Sequence, residues 1–316
     1  MRNQKGITLV ALIITIIILL ILAIVSISLV INGGIIGRAE KGTDSYLEAE
    51  IKEKVNLAYN EWKMDKESGG ESVLEDVVEN RLNESYGEES VDVSKQGKGI
   101  LVKVTKSGKE HEYTLIDDGT VADGKIAYLD IADGCIDLRE NGYVQGVVSN
   151  IYSPYGELRN TITGEFIQGI SKYIITGTTT DNMIQISEKG NYDITIKDLS
   201  IDVSGKSNGY CAFIANRTAT YTNVVINIEG NNYLKSYSGA GLSFSTNISN
   251  INGENSGSTL TLQGNGKLET IGGSWSAGIG GNYSGRNSAC NITINSGTII
   301  ATGNGHGAGI GGALRR

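Results

Sequence analysis

Hydrophobic and polar positions follow three different periods along the chain. From Ile7 to Ile31 there is almost no polar interruption, only Ile, Leu, Val and Ala with a few Ser and Thr. Such a run is long enough for one helix to cross the roughly 30 Å hydrocarbon core of a bilayer. Further on, Tyr46, Leu47, Ile51, Val55, Leu57, Ala58 and Trp62 recur at spacings of three and four, with Glu48, Glu50, Lys52, Glu53 and Lys54 between them. That spacing predicts an amphipathic helix, ended by Ser68-Gly69-Gly70. Ser72 and Glu75 read as a capping box that opens a second short helix through Leu74, Val77, Val78 and Leu82. The period then drops to two. Ile100 to Val104 and Glu110 to Ile116, joined by Lys106-Ser107-Gly108-Lys109, predict a β-hairpin. His111, between Glu110 and Glu112, is expected on the hairpin's surface.

From residue 128 onward, short alternating runs repeat. Ala277-Gly278-Ile279-Gly280-Gly281 returns as Ala308-Gly309-Ile310-Gly311-Gly312, and Leu260-Thr261-Leu262 returns as Ile292-Thr293-Ile294. Gly266-Lys267-Leu268 corresponds to Gly297-Thr298-Ile299. Weaker copies run through Ile226-Asn227-Ile228, Tyr233-Leu234-Lys235 and Ala240-Gly241-Leu242, and through Ile194-Thr195-Ile196, Leu199-Ser200-Ile201 and Ala212-Phe213-Ile214. A three-residue strand cannot bury its apolar face alone, but stacked on its equivalent in the next repeat it lines a continuous core. The predicted architecture is therefore mainly β: a right-handed parallel β-helix, preceded by a long N-terminal transmembrane α-helix and a small α+β unit. Membrane β-barrels need strands of about 9–11 residues, and none is visible.

Composition sharpens this division. No charged residue lies between Gly6 and Gly37, 13 basic and 21 acidic residues crowd 38–127, and 30 of the 43 glycines lie beyond residue 127. The formal net charge of -8 belongs mostly to the middle segment. Average usage would supply about 16 prolines where the chain has one; strands that donate to ladders on both sides exclude proline. The acidic balance excludes a nucleic-acid partner of the usual basic kind. Three cysteines without a CxxC pair exclude a disulfide framework and a zinc ribbon. Cys211 and Cys290 are expected as small buried hydrophobes.

Lys5-Gly6-Ile7-Thr8-Leu9 ahead of the apolar run resembles the class III leader of type IV prepilins and pseudopilins. The resemblance implies cleavage by a prepilin peptidase between Gly6 and Ile7 and methylation of Ile7. Arg2 and Lys5 ahead of the run, with no acidic counterweight, predict a single pass with the N-terminus cytoplasmic and the remainder outside, also if the run is a plain anchor or uncleaved signal. The resemblance adds other pilins as partners. Ala11 stands where that family carries a glutamate used in filament assembly. The segments are then a leader at 1–6, a membrane helix at 7–36, a charged helical stalk with a small pilin-like unit at 37–127, and a repeat domain at 128–316. The chain stops directly after its last Gly-Gly pair; either Arg315 and Arg316 blunt the final coil or further coils follow.

The segments 260–281 and 291–312, together with 173–187, resemble the carbohydrate-binding repeat domains of clostridial surface proteins. The resemblance implies a glycan-binding, adhesin-like function, with polysaccharide as partner. Tyr210, Tyr233, Tyr237, Trp275 and Tyr283 fall at or near turns, where an aromatic face can stack on a sugar ring. Asp193, Asp198 and Asp202 are hard oxygen donors in one coil that could hold Ca2+, although solvated strand and turn faces are the favoured reading of them. A calcium-dependent polysaccharide lyase, with Lys197 or Arg217 as the basic group, is the enzymatic alternative, and a structural minor pilin is a third. Gly307 to Gly312 formally matches GxGxxG, but too few residues follow for the helix of a dinucleotide site. No catalytic residue is assigned.

Overall fold

The computed structural model describes residues 16, 19, 35–150, 161–206, 210–215, 222–247, 258–282, 287–289 and 291–312. It divides into two compact units, Met1–Gly87 and Glu88–Arg316.

The first unit contains helix α1 (Ile35–Glu67) and helix α2 (Leu74–Tyr86). α1 buries Leu47, Ile51, Val55 and Ala58 and leaves Tyr46 and Leu57 exposed, a narrower stripe than the sequence period suggests. Val78 and Leu82 of α2 complete this small core. Gly69 takes φ +84 just past α1, and the Gly70 amide turns back to the Asp65 carbonyl at 2.8 Å. The expected capping box does not form. Val73 precedes α2 without a side-chain cap, while the Ser72 amide and hydroxyl both donate to the Asp65 carboxylate. A charged acceptor outcompetes a neutral N-cap arrangement.

The leader at 1–6, with Gly6 and Ile7, lies outside the described residues, as does the 7–36 span except at Ile16, Leu19, Ile35 and Ile36. Among the described residues no helix is long and apolar enough to cross a membrane. α1 is charged along its whole length, whereas a span needs about 20 consecutive apolar residues. This corrects the expectation of a transmembrane, pilin-like helix and of the single-pass location drawn from it.

The second unit opens with an antiparallel sheet of β1 (Val91–Gln96), β2 (Gly99–Lys106), β3 (Lys109–Leu115) and β4 (Val121–Asp123), paired in that order. Ser107 (φ 55) and Gly108 (φ 75) form the two-residue turn between β2 and β3, the mirror-image type whose twist matches the flanking strands. His111 is buried rather than on the surface. It stands opposite Val104 and shares the inward face of β3 with Tyr113.

Among the described residues six successive coils follow, and their strands stack into three parallel ladders. The first ladder contains Ile126–Asp130, the start of Lys172–Thr179, the start of Asn191–Asp202, Asn223–Glu229, Thr259–Gly264 and Asn291–Ile294. In the second, the ends of Lys172–Thr179 and Asn191–Asp202 stack on Asn231–Lys235, Lys267–Ile271 and Thr298–Thr302. The third joins Cys135–Arg139, Ile184–Ile186, Phe213–Ala215, the start of Leu242–Asn247, Ile279–Gly280 and Ile310–Gly311. This curled parallel arrangement partly fits the β-helix read from the repeats. Inward apolar side chains from all three ladders, among them Ile194, Ile226, Leu262, Leu199, Leu234, Phe213 and Ile279, form one core. Full burial of such a side chain stabilises by roughly 1.5–3 kcal/mol.

The register differs from the sequence alignment at several points, among them Ile201 rather than Ser200 opposite Leu234 and Leu242 rather than Gly241 opposite Phe213. Val224, not Ile226, lies opposite Leu260, so this coil is slid by two residues, which keeps the same side chains inward. The ladders also begin earlier than the visible repeats, at Ile126. Between the first and second coils the chain leaves the ladders for an antiparallel excursion, Gly142–Asn150, Thr161–Thr163 and Phe166–Gln168, that pairs on the free edge of Cys135–Arg139. That pairing protects an edge strand.

The excursion leaves one costly group beside it. Asp137 is buried, and burial pushes its carboxyl above the ordinary range despite the Arg139 Nε–H donating to it at 2.9 Å. Its other oxygen has no hydrogen-bond partner. A carboxyl raised in the folded state stabilises the fold only while it is protonated, so this group's contribution turns unfavourable as pH rises from about 3.9 through its folded value. Asp137→Asn should therefore raise the melting temperature at pH 7, with the gain disappearing below about pH 4. Melting curves across pH 3–8 check this; a pH-independent difference would contradict the sign.

Candidate functional site

Asp193, Asp198 and Asp202 do not converge. Asp193 points outward from the first ladder and accepts the Asn227 side-chain amide at 2.8 Å. Asp198 stands at the corner between ladders with φ +50 and accepts the Asn231 backbone amide at 2.8 Å. Asp202 accepts from the Ser204 amide at 3.0 Å and faces Lys235 Nζ at 3.5 Å. Burial works against its charge, yet the Ser204 hydrogen bonds and Lys235 together hold its carboxyl below the ordinary range. Among the described residues, no group of three His, Cys, Asp or Glu side chains is placed to hold a metal ion. Lys197 is engaged elsewhere: its ammonium lies 2.8 Å from Asp118 and holds that carboxyl down to about 2. Arg217 lies outside the described residues.

The aromatic residues are better organised. The turn from the second ladder to the third recurs in successive coils, and each turn is hydrogen-bonded to the next. Ser238 N donates to the Tyr210 carbonyl, Ser274 N to the Tyr237 carbonyl at 3.3 Å, and Asn304 N to the Ser276 carbonyl at 3.0 Å. Tyr210, Tyr237, Trp275 and His306 thus occupy one edge of the solenoid, one to each coil. Tyr210 is half-buried against the core, with Lys206 Nζ 6.0 Å from its ring centre. Tyr237 is exposed. Trp275 and His306 stack with ring centres 4.5 Å apart and planes tilted by 40°. Tyr233 departs from this set: it points outward from the second ladder, between Ser200 and Glu269. Tyr283 lies outside the described residues.

Two backbone features build this edge. Gly307 fits where a Cβ would lie 1.9 Å from the Ser276 carbonyl oxygen, so glycine lets the last turn close down on its predecessor. Trp275 itself takes φ +60, a left-handed conformation that crowds Cβ against the following carbonyl at roughly 1–2 kcal/mol for any residue but glycine. An outlier of this kind persists only where its surroundings enforce it. Beneath the edge, Cys211 is fully buried, its thiol 2.9 Å from the Ser238 carbonyl and pushed up to about 12 by burial. It is part of the packing, not a nucleophile.

His306 was not singled out as a site residue by the sequence, although the internal alignment places it 31 positions after Trp275, the separation of the two Gly-Gly motifs. Comparison with protein-family models, with curated proteins and with solved structures gives no match.

Proposed function

We propose that the chain is a carbohydrate-binding protein whose stacked coils present a row of aromatic rings to a glycan. The observation that carries this reading is Trp275, a bulky indole kept in a left-handed backbone position and stacked on His306, in line with exposed Tyr237 on the coil before. A strained turn at that position would favour glycine on stability alone. Retaining tryptophan there is what a display surface requires, because an aromatic face stacks on the C–H face of a sugar. Rigid ladders on both sides fix the spacing of the turns, so little ordering accompanies binding.

The test uses the full chain in affinity electrophoresis against a panel of neutral and acidic polysaccharides. Retention by at least one polymer is expected, with Trp275→Ala and Tyr237→Ala each weakening it about tenfold, equivalent to about 1.4 kcal/mol. Trp275→Gly adds a control: it should bind as poorly as Trp275→Ala yet be more stable by about 1 kcal/mol, because it relieves the backbone. Failure of the wild type to bind any polymer, or unchanged binding by Trp275→Ala, would reject the reading.

A further inference from the structure

A second surface lies away from the aromatic edge, on the outer face of the first ladder. A groove of about 440 Å³ opens there, its lining including Asn191, Tyr192, Asp193, Val225, Asn227 and Gln263. The size falls within the range of small-ligand sites.

Its walls are two rows of side chains bonded from coil to coil. In one, Thr259 Oγ–H donates to Asn223 Oδ1 and Asn223 Nδ2 donates to Asn191 Oδ1, both at 2.9 Å. In the other, Gln263 Nε2 donates to Asn227 Oδ1 and Asn227 Nδ2 to Asp193 Oδ1, both at 2.8 Å. Val225 lies between the rows on the central strand and supplies an apolar floor. A carboxamide carries two N–H donors and two acceptor lone pairs. The inter-coil bonds use one donor and one acceptor of Asn227, which leaves one of each for a ligand. A sugar hydroxyl is matched to such a pair because it donates and accepts at once. The pattern repeats with the strand spacing, about 4.8 Å, close to the length of one pyranose unit.

We propose that this groove is a separate saccharide subsite for an uncharged, polyhydroxylated chain lying across the coils, over Val225. The lining holds one carboxylate, Asp193, and no Lys or Arg, so it disfavours uronic-acid polymers. Lys172 stands opposite Asp193 in the preceding coil, outside the lining. The proposal rests on the carbohydrate reading above and adds to it a place and a charge class.

The experiment is calorimetric titration of the full chain with cellotetraose, xylotetraose and mannotetraose, against tetragalacturonate. Wild type, Val225→Lys, Asp193→Asn and the Tyr237→Ala/Trp275→Ala double variant are compared. Val225 points outward, so lysine there blocks the groove without entering the core; an unchanged melting temperature confirms folding. At least one neutral oligosaccharide is expected to bind, at least tenfold more weakly to Val225→Lys. Asp193→Asn should narrow the discrimination against tetragalacturonate, because it removes the carboxylate from the lining. Wild-type preference for tetragalacturonate, or full binding by a folded Val225→Lys, overturns the proposal. If only the double variant loses binding, the groove falls and the aromatic edge stands; if only Val225→Lys does, the edge falls and the groove stands.

Discussion

Gly264→Ala is expected to loosen the last two coils from the rest of the solenoid and to lower stability by about 3 kcal/mol. Gly264 ends its first-ladder strand with φ +122, and a Cβ there would lie 2.3 Å from the Ile228 carbonyl oxygen and 2.6 Å from its nitrogen. Both atoms are backbone, held in the neighbouring strand, so neither can swing aside as a flexible side chain would. The substitution therefore adds a disfavoured φ to a clash that only coil separation relieves. Stability in a stacked array is a sum of coil terms and nearest-neighbour interfaces. Damage to one interface should thus appear as a first, shallow phase in urea denaturation, ahead of the main transition. A single transition at the wild-type midpoint would show that the coils yield locally at little cost.

Ile226→Ala should cost about 2–5 kcal/mol. Ile226 is fully buried in the middle of the first ladder, between Ile194 and Leu262 of the adjoining coils. Removing its side chain leaves a void that the coils on either side cannot close, because their spacing is set by the backbone ladders. Here the whole transition should move to lower urea with its slope unchanged, since the central interface couples both halves. Outward Val225, one residue away, offers the contrast: Val225→Ala should shift the midpoint by much less.

How much of this was legible follows from what each residue had to signal. Inward Ile and Leu at alternate positions announce a strand whatever lies next to them, so the strong repeats at 260–271 and 292–302 were plain. The two-residue slide between Val224 and Leu260 was not, because a shift by one full pleat keeps every side chain on the same face. The first coil shows no copy at the repeat spacing, because the 142–168 excursion separates it from the next. Asp137 reads as an ordinary strand carboxylate, and only the paired excursion and the Gln185 strand across from it remove it from water. The aromatic residues were found as a list of turn residues. Turn-to-turn hydrogen bonding then placed Tyr237 and Trp275 on one edge, brought in His306 and set Tyr233 apart. Asn227 sits in the strand run Ile226-Asn227-Ile228, but its alignment with Asp193 and Gln263 across three coils needs the observed register.

The row that ends at Asp193 has one more property. An ionised carboxylate only accepts hydrogen bonds, so Asn227 must offer it an N–H, Gln263 must do the same to Asn227, and Asn295 follows at 3.5 Å. A single charged residue at one terminus thus fixes the amide orientation of every member behind it. Such a chain polarises cooperatively, and its two ends are chemically unlike. Whatever lies along it meets a surface with a head and a tail.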